Sequence, residues 1–392
     1  MTTLLTLTSK QIWPQVLAVA HLRPNRVFLL HSEDLAESKT PAQRLKRLFD
    51  ECGLAPKGGA RLQLVSDSDF DANERRLDEL QRAHQLSLPD CVLNFTGGNK
   101  LMAIAAFRWA ARRGVRAFYL ERRNQLTWFE QRDGDIHTRS EGLDGHKTDG
   151  LDPVALVRCQ VDASEVERLG QTLLLNEAGR KLGKDELFRR VQSGNDARPW
   201  LHIAGEADRK SKEGDSLEFA AAAVLLKLGV RRVQRSLRLK VRSLPQTGTW
   251  RVHAEIDLLF TWDGCLWLVD CKDRKPAEDL AEGLSRELRQ SGCRPSTQAS
   301  ELLDRIHSEL SIGQVKAMKE DLLAVRETGG LLGKIVCVRK AVLPEEVVQY
   351  ARHNNIAVVQ KSALVHDLSN LLSAKRLADE GDIARLVAHF RK

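Results

Sequence analysis

The residues best suited to chemistry stand on two short runs around Asp263-Gly264. The first run carries Glu255 and Asp257, and the second, Leu266-Trp-Leu-Val-Asp270-Cys-Lys272, changes abruptly from apolar to ionic at its end. Asp-Gly between apolar runs signals a two-residue hairpin, because both residues tolerate positive φ. That turn sets Trp262 opposite Cys265, hence Asp257 opposite Asp270 and Glu255 opposite Lys272. Side chains alternate along a strand, so these four share one face, with Val252, Ala254, Ile256, Trp267 and Val269 on the other. Opposed Cβ atoms lie ~5 Å apart, and like charges there destabilise the pair. A divalent cation on hard oxygen ligands would reconcile the aspartates, with Lys272 beside it to orient water. The alternative is a solvated strand face whose charges cluster without consequence.

A second candidate site follows the run Cys91-Val-Leu-Asn-Phe95. Thr96-Gly97-Gly98-Asn99-Lys100 leads straight into an apolar helix. A turn at the carboxyl edge of a parallel sheet presents backbone N–H groups at a helix N-terminus, where anions bind. Lys100 adds a charge, and Thr96 and Asn99 add hydrogen-bonding groups. Ser9, Lys10 and Gln11 after the first strand, and Ser32 after the second, open on the same edge. The turn is equally compatible with a purely structural role.

The elements that must position these residues fall into two α/β regions. Over residues 1–150, strands at 3–8, 26–31, 61–65, 91–95 and 116–120 alternate with helices at 42–51, 71–85 and 101–113, the rhythm of a doubly wound parallel sheet. A second hairpin, 126–131 and 135–139 about Asp133-Gly134, closes that region, and 142–150 reads as a linker. Residues 151–205 read as a helical connecting or dimerising segment, with helix at about 164–190. The region 206–392 begins with a helix at 217–228 and runs through the hairpin. Helices at 301–309 and 314–326, a strand at 334–338, a helix at 344–350, a strand at 356–359 and a last helical stretch complete it.

Composition narrows the classes. The chain has 392 residues and a net charge of +8. From Phe219 to Ala254 there is no acidic residue, while Lys227, Arg231, Arg232, Arg235, Arg238, Lys240, Arg242 and Arg251 are basic. A basic strand face beside paired carboxylates suits a phosphodiester backbone. Seven scattered cysteines without a Cys-x-x-Cys pair argue against a disulfide framework or zinc site and for a reducing cytoplasm. No apolar run reaches the ~18 residues of a membrane span, and residues 1–8 lack signal-peptide character. There is no dinucleotide fingerprint, nucleophile elbow, HExxH helix or kinase signature. The stretch Gly329-Gly-Leu-Leu-Gly333-Lys334 is not a P-loop, because Ile335 stands where Ser or Thr should hold magnesium.

Glu218 on a helix, Asp257 on one hairpin strand and Asp270-Cys271-Lys272 on the next resemble the PD-(D/E)xK nuclease superfamily. Thr96-Gly-Gly-Asn-Lys-Leu-Met102 is similar to the ligand turn of CARF domains, where Thr usually stands in the place of Asn99. In this order, and over most of the chain, the two look like the cyclic-oligoadenylate-activated Card/Can-type effectors of type III CRISPR systems. The resemblance implies a Rossmann-like CARF unit followed by a restriction-endonuclease-like unit. It further implies a homodimer whose paired N-terminal units bind a cyclic oligoadenylate, most often the tetramer.

By matching position, Asp257, Asp270 and Glu218 would hold Mn²⁺ or Mg²⁺ and Lys272 would assist the attacking water. Ser9, Lys10, Gln11, Ser32 and residues 96–100 would touch the second messenger. DNA or RNA would be hydrolysed. A contrasting reading is a nucleotide-gated nucleic-acid-binding regulator, in which the basic stretch works and the carboxylates are incidental. A third, compatible with either, is a sensor that degrades its own ligand.

Overall fold

The computed structural model describes residues 2–121, 125–132, 134–161, 165–167, 170–205, 215–242, 250–272, 333–340, 343 and 345–373. The expected helices at 301–309 and 314–326 lie outside them. The chain folds into two mixed sheets with helices packed on them.

The first sheet is built by β1 (Thr3–Leu7), α1 (Trp13–Leu22), β2 (Arg26–His31), α2 (Thr40–Glu51), β3 (Ala60–Leu64), α3 (Phe70–Ala83), β4 (Cys91–Asn94), α4 (Lys100–Arg113), β5 (Arg116–Glu121), β6 (Gln125–Arg132) and β7 (Asp135–Gly142). Its order is β3-β2-β1-β4-β5-β6-β7, with β1 to β5 parallel. The chain moves outward from β1 to β3 and then crosses to β4, so the crevice of this α/β unit opens between the carboxyl ends of β1 and β4. The expected second hairpin forms, but it extends the sheet antiparallel from β5 and does not cap it. Sequence reasoning passed over α1, whose apolar run is buried on nearly every side and therefore shows no amphipathic period.

The second sheet takes in more chain than expected. After α5 (Pro153–Gln160) come β8 (Glu165–Glu167), β9 (Gln171–Leu175), α6 (Glu177–Lys181), α7 (Lys184–Gln192) and β10 (Leu201–Ala204). They are followed by α8 (Asp215–Lys227), β11 (Val233–Arg242), β12 (Trp250–Trp262), β13 (Cys265–Lys272), β14 (Gly333–Arg339), α9 (Glu345–His353), β15 (Ile356–Gln360) and α10 (Leu364–Ser373). Helix at 164–190 is thus corrected: β8 and β9 occupy its first half and pair with β11, while α6 and α7 fill the rest. The aliphatic run of β9 satisfies its backbone on the edge of β11, which the sequence period alone does not reveal.

The path is β10-β9-β11-β12-β13-β14-β15, antiparallel to β13 and parallel beyond it. One apolar cluster joins α1, α2 and α5 to Leu237, Leu259, Leu268 and Ile335, so both sheets share a core. Nor is 142–150 a slack linker. Gly145 and Thr148 are buried, and this segment packs against the β12–β13 turn.

Candidate functional site

The hairpin forms as its turn dictates. Asp263 at φ 46° and Gly264 at φ 70° close it, and the ladder pairs Trp262 with Cys265 through Leu258 with Val269. The ladder ends there, and the Asp257 carboxylate takes over: its Oδ2 accepts the Cys271 N–H at 2.6 Å. On the other side of β12, pairing passes from Arg235–Leu258 to Leu237–Ile256 without a Ser236–Asp257 bridge. Ser236 sits at φ 54°, a left-handed conformation that interrupts the alternation of faces. Past this break in the ladder Ile256 packs with Leu237 and Leu259 in one cluster, whereas Trp267 and Val269 pack in the other, and the expectation that all three share a face is corrected. Both faces of the hairpin are buried.

Asp257 and Asp270 come together at 6% and 2% exposure, which excludes a solvated face. Lys272 Nζ bridges them, 2.8 Å from Asp270 Oδ1 and 3.7 Å from Asp257 Oδ2. Glu255, expected beside them, instead pairs with Arg238 at 3.6 Å on the half-exposed continuation of β12.

The residue missed was Arg339, 5% exposed at the end of β14. Parallel pairing places it next to Lys272; its Nη2 donates to Asp270 Oδ2 at 2.7 Å and its Nη1 to the Asp270 carbonyl at 3.0 Å. A signal existed in the sequence, since an arginine ends the apolar strand Ile335-Val-Cys-Val338 much as Asp270 ends its own. The facing acids are therefore balanced by the protein's own cations, contrary to the expectation that only a metal could reconcile them.

Glu218, on α8, keeps its place near the pair but does not join it. Its Oε2 accepts from Arg235 Nε at 2.6 Å, and the Arg235 guanidinium lies over the Phe219 ring at 4.5 Å. Arg235 is thereby withdrawn from the expected basic face. Arg232 and Lys227 are likewise engaged, with Asp152 and with carbonyls closing α6.

The electrostatics are asymmetric. Burial first, then the charge of Asp270 and that of Glu218, pushes the Asp257 carboxyl up to about 7 despite Lys272 and the Cys271 N–H. Burial acts on Asp270 too, but Arg339 and Lys272 outweigh it and hold that carboxyl below the ordinary range. Burial keeps the neighbouring Cys271 thiol protonated, so it is no nucleophile.

Among the described residues no three His, Cys, Asp or Glu side chains form a group able to hold a metal ion, so the expected three-carboxylate set is not assembled. Two carboxylates are. Asp257, whose ionisation is opposed by burial and by the charge of Asp270 more than Lys272 offsets, is what a hard cation would relieve, and Mg²⁺-type ions commonly take one or two carboxylates and fill the remainder with water and phosphate. The donor set fits such an ion.

At the other site, the expected residues lie past the carboxyl ends of β1, β2 and β4. Lys10, Asn99 and Lys100 are exposed, Ser9, Gln11, Thr96 and Gly98 half-buried, and Gly97 and Ser32 buried. Several have local duties. Thr96 Oγ1 donates to Asn94 Oδ1 at 2.7 Å and accepts the Leu120 N–H at 2.8 Å. Asn99 caps α4, its Oδ1 accepting the Met102 N–H at 2.8 Å. Lys10 pairs with Glu37, and Ser32 is tied to Ser38, another residue unmarked by the sequence. Gly97 lies so close to the Leu7 carbonyl and the Gln15 amide that any Cβ would collide with them. The turn is pressed against β1 at the N-terminus of α4, where Asn99 itself satisfies one of the first-turn N–H groups.

These features define an α/β protein with a Rossmann-like, mostly parallel first sheet and a second mixed sheet that carries the hairpin. No protein-family signature and no curated protein matches the sequence. Among solved structures, Can2 from Sulfobacillus thermosulfidooxidans, in complex with cyclic tetra-adenylate, matches at TM-score 0.54 and 17% identity, over 94% of this chain and 96% of its own. Protein VC1899 from Vibrio cholerae matches at TM-score 0.61 and 10% identity, over 95% and 98%. The two-unit fold is thus shared almost end to end.

Proposed function

We propose that the chain is a cyclic-oligoadenylate-activated, metal-dependent nuclease of type III CRISPR antiviral defence, acting on DNA, RNA or both. The observation that carries the reading is the buried Asp257–Asp270 pair bridged by Lys272 at the open end of the hairpin. Mn²⁺ or Mg²⁺ held by Asp257 and Asp270 would supply Lewis-acid activation of water and offset charge on the phosphodiester. Arg339 keeps Asp270 ionised and fixed. Asp257, with its carboxyl pushed up to about 7, would give up its proton to solvent and be held ionised by such a cation. Lys272 is placed to orient the nucleophile or meet a non-bridging oxygen. Glu218 on α8, held by Arg235, adds negative charge near the pair that a bound cation would offset.

The first-unit crevice would take the activator, with residues 9–11, Ser32 and 96–100 along its edge and Lys100 meeting phosphate. Can2, of like fold, was solved with cyclic tetra-adenylate, which supports that ring size first. A homodimer would present two such crevices to one symmetric ligand, and its second units would answer as a population shift. One observation favours the regulator reading: Lys272 and Arg339 already balance Asp270 without a metal. Incubation with Mn²⁺, labelled DNA or RNA, and cyclic tetra-adenylate separates the two. Shortened products support the nuclease; a mobility shift without cleavage overturns it.

A further inference from the structure

The tip of the hairpin that carries the candidate site is held by the first unit. Asp149 Oδ1 accepts the Asp263 N–H at 2.8 Å, and its Oδ2 pairs with His146 Nδ1 at 2.7 Å. The His146 ring meets Trp262 edge-on, 5.0 Å between centroids. Thr261 Oγ1 accepts the Gly150 N–H at 3.2 Å, while a Cβ at Gly145 would collide with the Asp263 backbone. Asp149 and Thr261 are themselves buried.

A hairpin turn is ordinarily its loosest part, because few contacts hold it. Here both sides of the turn are gripped by the short segment that follows β7. The same segment is anchored back on the first unit, since Lys147 Nζ donates to the His21 carbonyl at the end of α1. From the gripped turn, five ladder pairs on β12 and β13 run to Asp257 and Asp270. Any shift of the segment is delivered along a hairpin whose core packing leaves it little room to bend.

We propose that Asp149, with His146 and Gly145, is a positioning residue that fixes the catalytic hairpin, and that this clamp is the contact through which the first unit governs the second. The positioning claim stands on these contacts alone; the governing claim rests on the ligand-gated nuclease reading above.

Amide hydrogen exchange on the full chain tests it without any ligand. In Asp149→Ala, exchange at residues 265–272 should rise about tenfold, the loss of roughly one hydrogen bond, while β1 and β2 exchange as in wild type. Asp149→Asn, which keeps an acceptor for the Asp263 N–H, should restore most of the protection. Thr261→Val, near-isosteric and so less prone to misfold, should loosen the hairpin by about threefold. Unchanged exchange at residues 265–272 in both Asp149→Ala and Thr261→Val overturns the proposal.

Repeating the measurement with cyclic tetra-adenylate addresses the coupling. Wild type should show a ligand-dependent change at residues 265–272 that Asp149→Ala loses. A response that Asp149→Ala retains in full overturns the governing role. If wild type gives no response while Asp149→Ala still loosens the hairpin, the ligand reading fails and the positioning role stands.

Discussion

The two candidate sites treat charge in opposite ways. In the hairpin site, Asp257 and Asp270 are buried and locked between Lys272 and Arg339, and the geometry is set by side chains. In the first-unit crevice the charged groups, Lys10 and Lys100, stay at the surface and the geometry is set by backbone. Thr96, Asn99 and Gly97 mostly serve to hold that backbone. The difference suits the two proposed tasks. Bond cleavage gains from charges preorganised in low dielectric, where each is worth more. A reversible messenger must come and go, which favours solvated charges and main-chain donors.

The largest expected effect falls on the buried site. Asp257→Ala or Asp270→Ala should lower metal-dependent cleavage by at least about 1,000-fold, the several kcal/mol a bound ion supplies, with ligand affinity in the crevice unchanged; single-turnover cleavage and calorimetry check both. Retained cleavage would erase the contrast. Arg339→Leu should destabilise the fold by about 3–5 kcal/mol, because it strands a buried carboxylate, and denaturant unfolding reads this directly. A loss below about 1 kcal/mol, the value of an exposed pair, would make the two sites alike.

Acid–base linkage sharpens the asymmetry within the pair. Asp257 holds its proton more tightly folded, up to about 7, than at its ordinary 3.8. Its contribution is therefore present at low pH and lost as pH rises between these values. Asp257→Asn keeps an acceptor for the Cys271 N–H and should raise stability in chelator at pH 8 by up to about 4 kcal/mol, three pH units at ~1.4 kcal/mol each, with no gain at pH 4. Asp270 has the opposite sign: its contribution is present above its ordinary range and lost only as pH falls through its lowered value. The smallest effect belongs to the crevice. Lys100→Ala should weaken cyclic tetra-adenylate binding about tenfold, a charged hydrogen bond of ~1.5 kcal/mol, and the deficit should shrink with added salt.

Legibility followed the range of the interactions. Asp263-Gly264 speaks locally, so the hairpin, its register and the Asp257–Asp270 meeting could be read from residues alone. The turn at 96–100 was legible for the same reason. Arg339 was hidden because only the parallel pairing of β13 and β14, sixty-odd residues apart in sequence, brings it to Lys272. The face of Ile256 was misjudged because the β11–β12 ladder skips Ser236 and Asp257, and the alternation does not carry through that break. Segment 142–150 reads as a linker, and its docking on the β12–β13 turn was hidden because glycine and aspartate mark tight contact as readily as a loose connection.

The continuous apolar cluster that joins the sheets bears on how the protein can be taken apart. Leu143, Leu151, Val154 and Leu156 lie in the same core as Leu237, Leu259 and Ile335. A cut near residue 150 would leave greasy faces bare on both fragments, which invites clumping. Heating should instead melt the intact chain in one step, and the two sheets would have to be inherited and exchanged as a single piece.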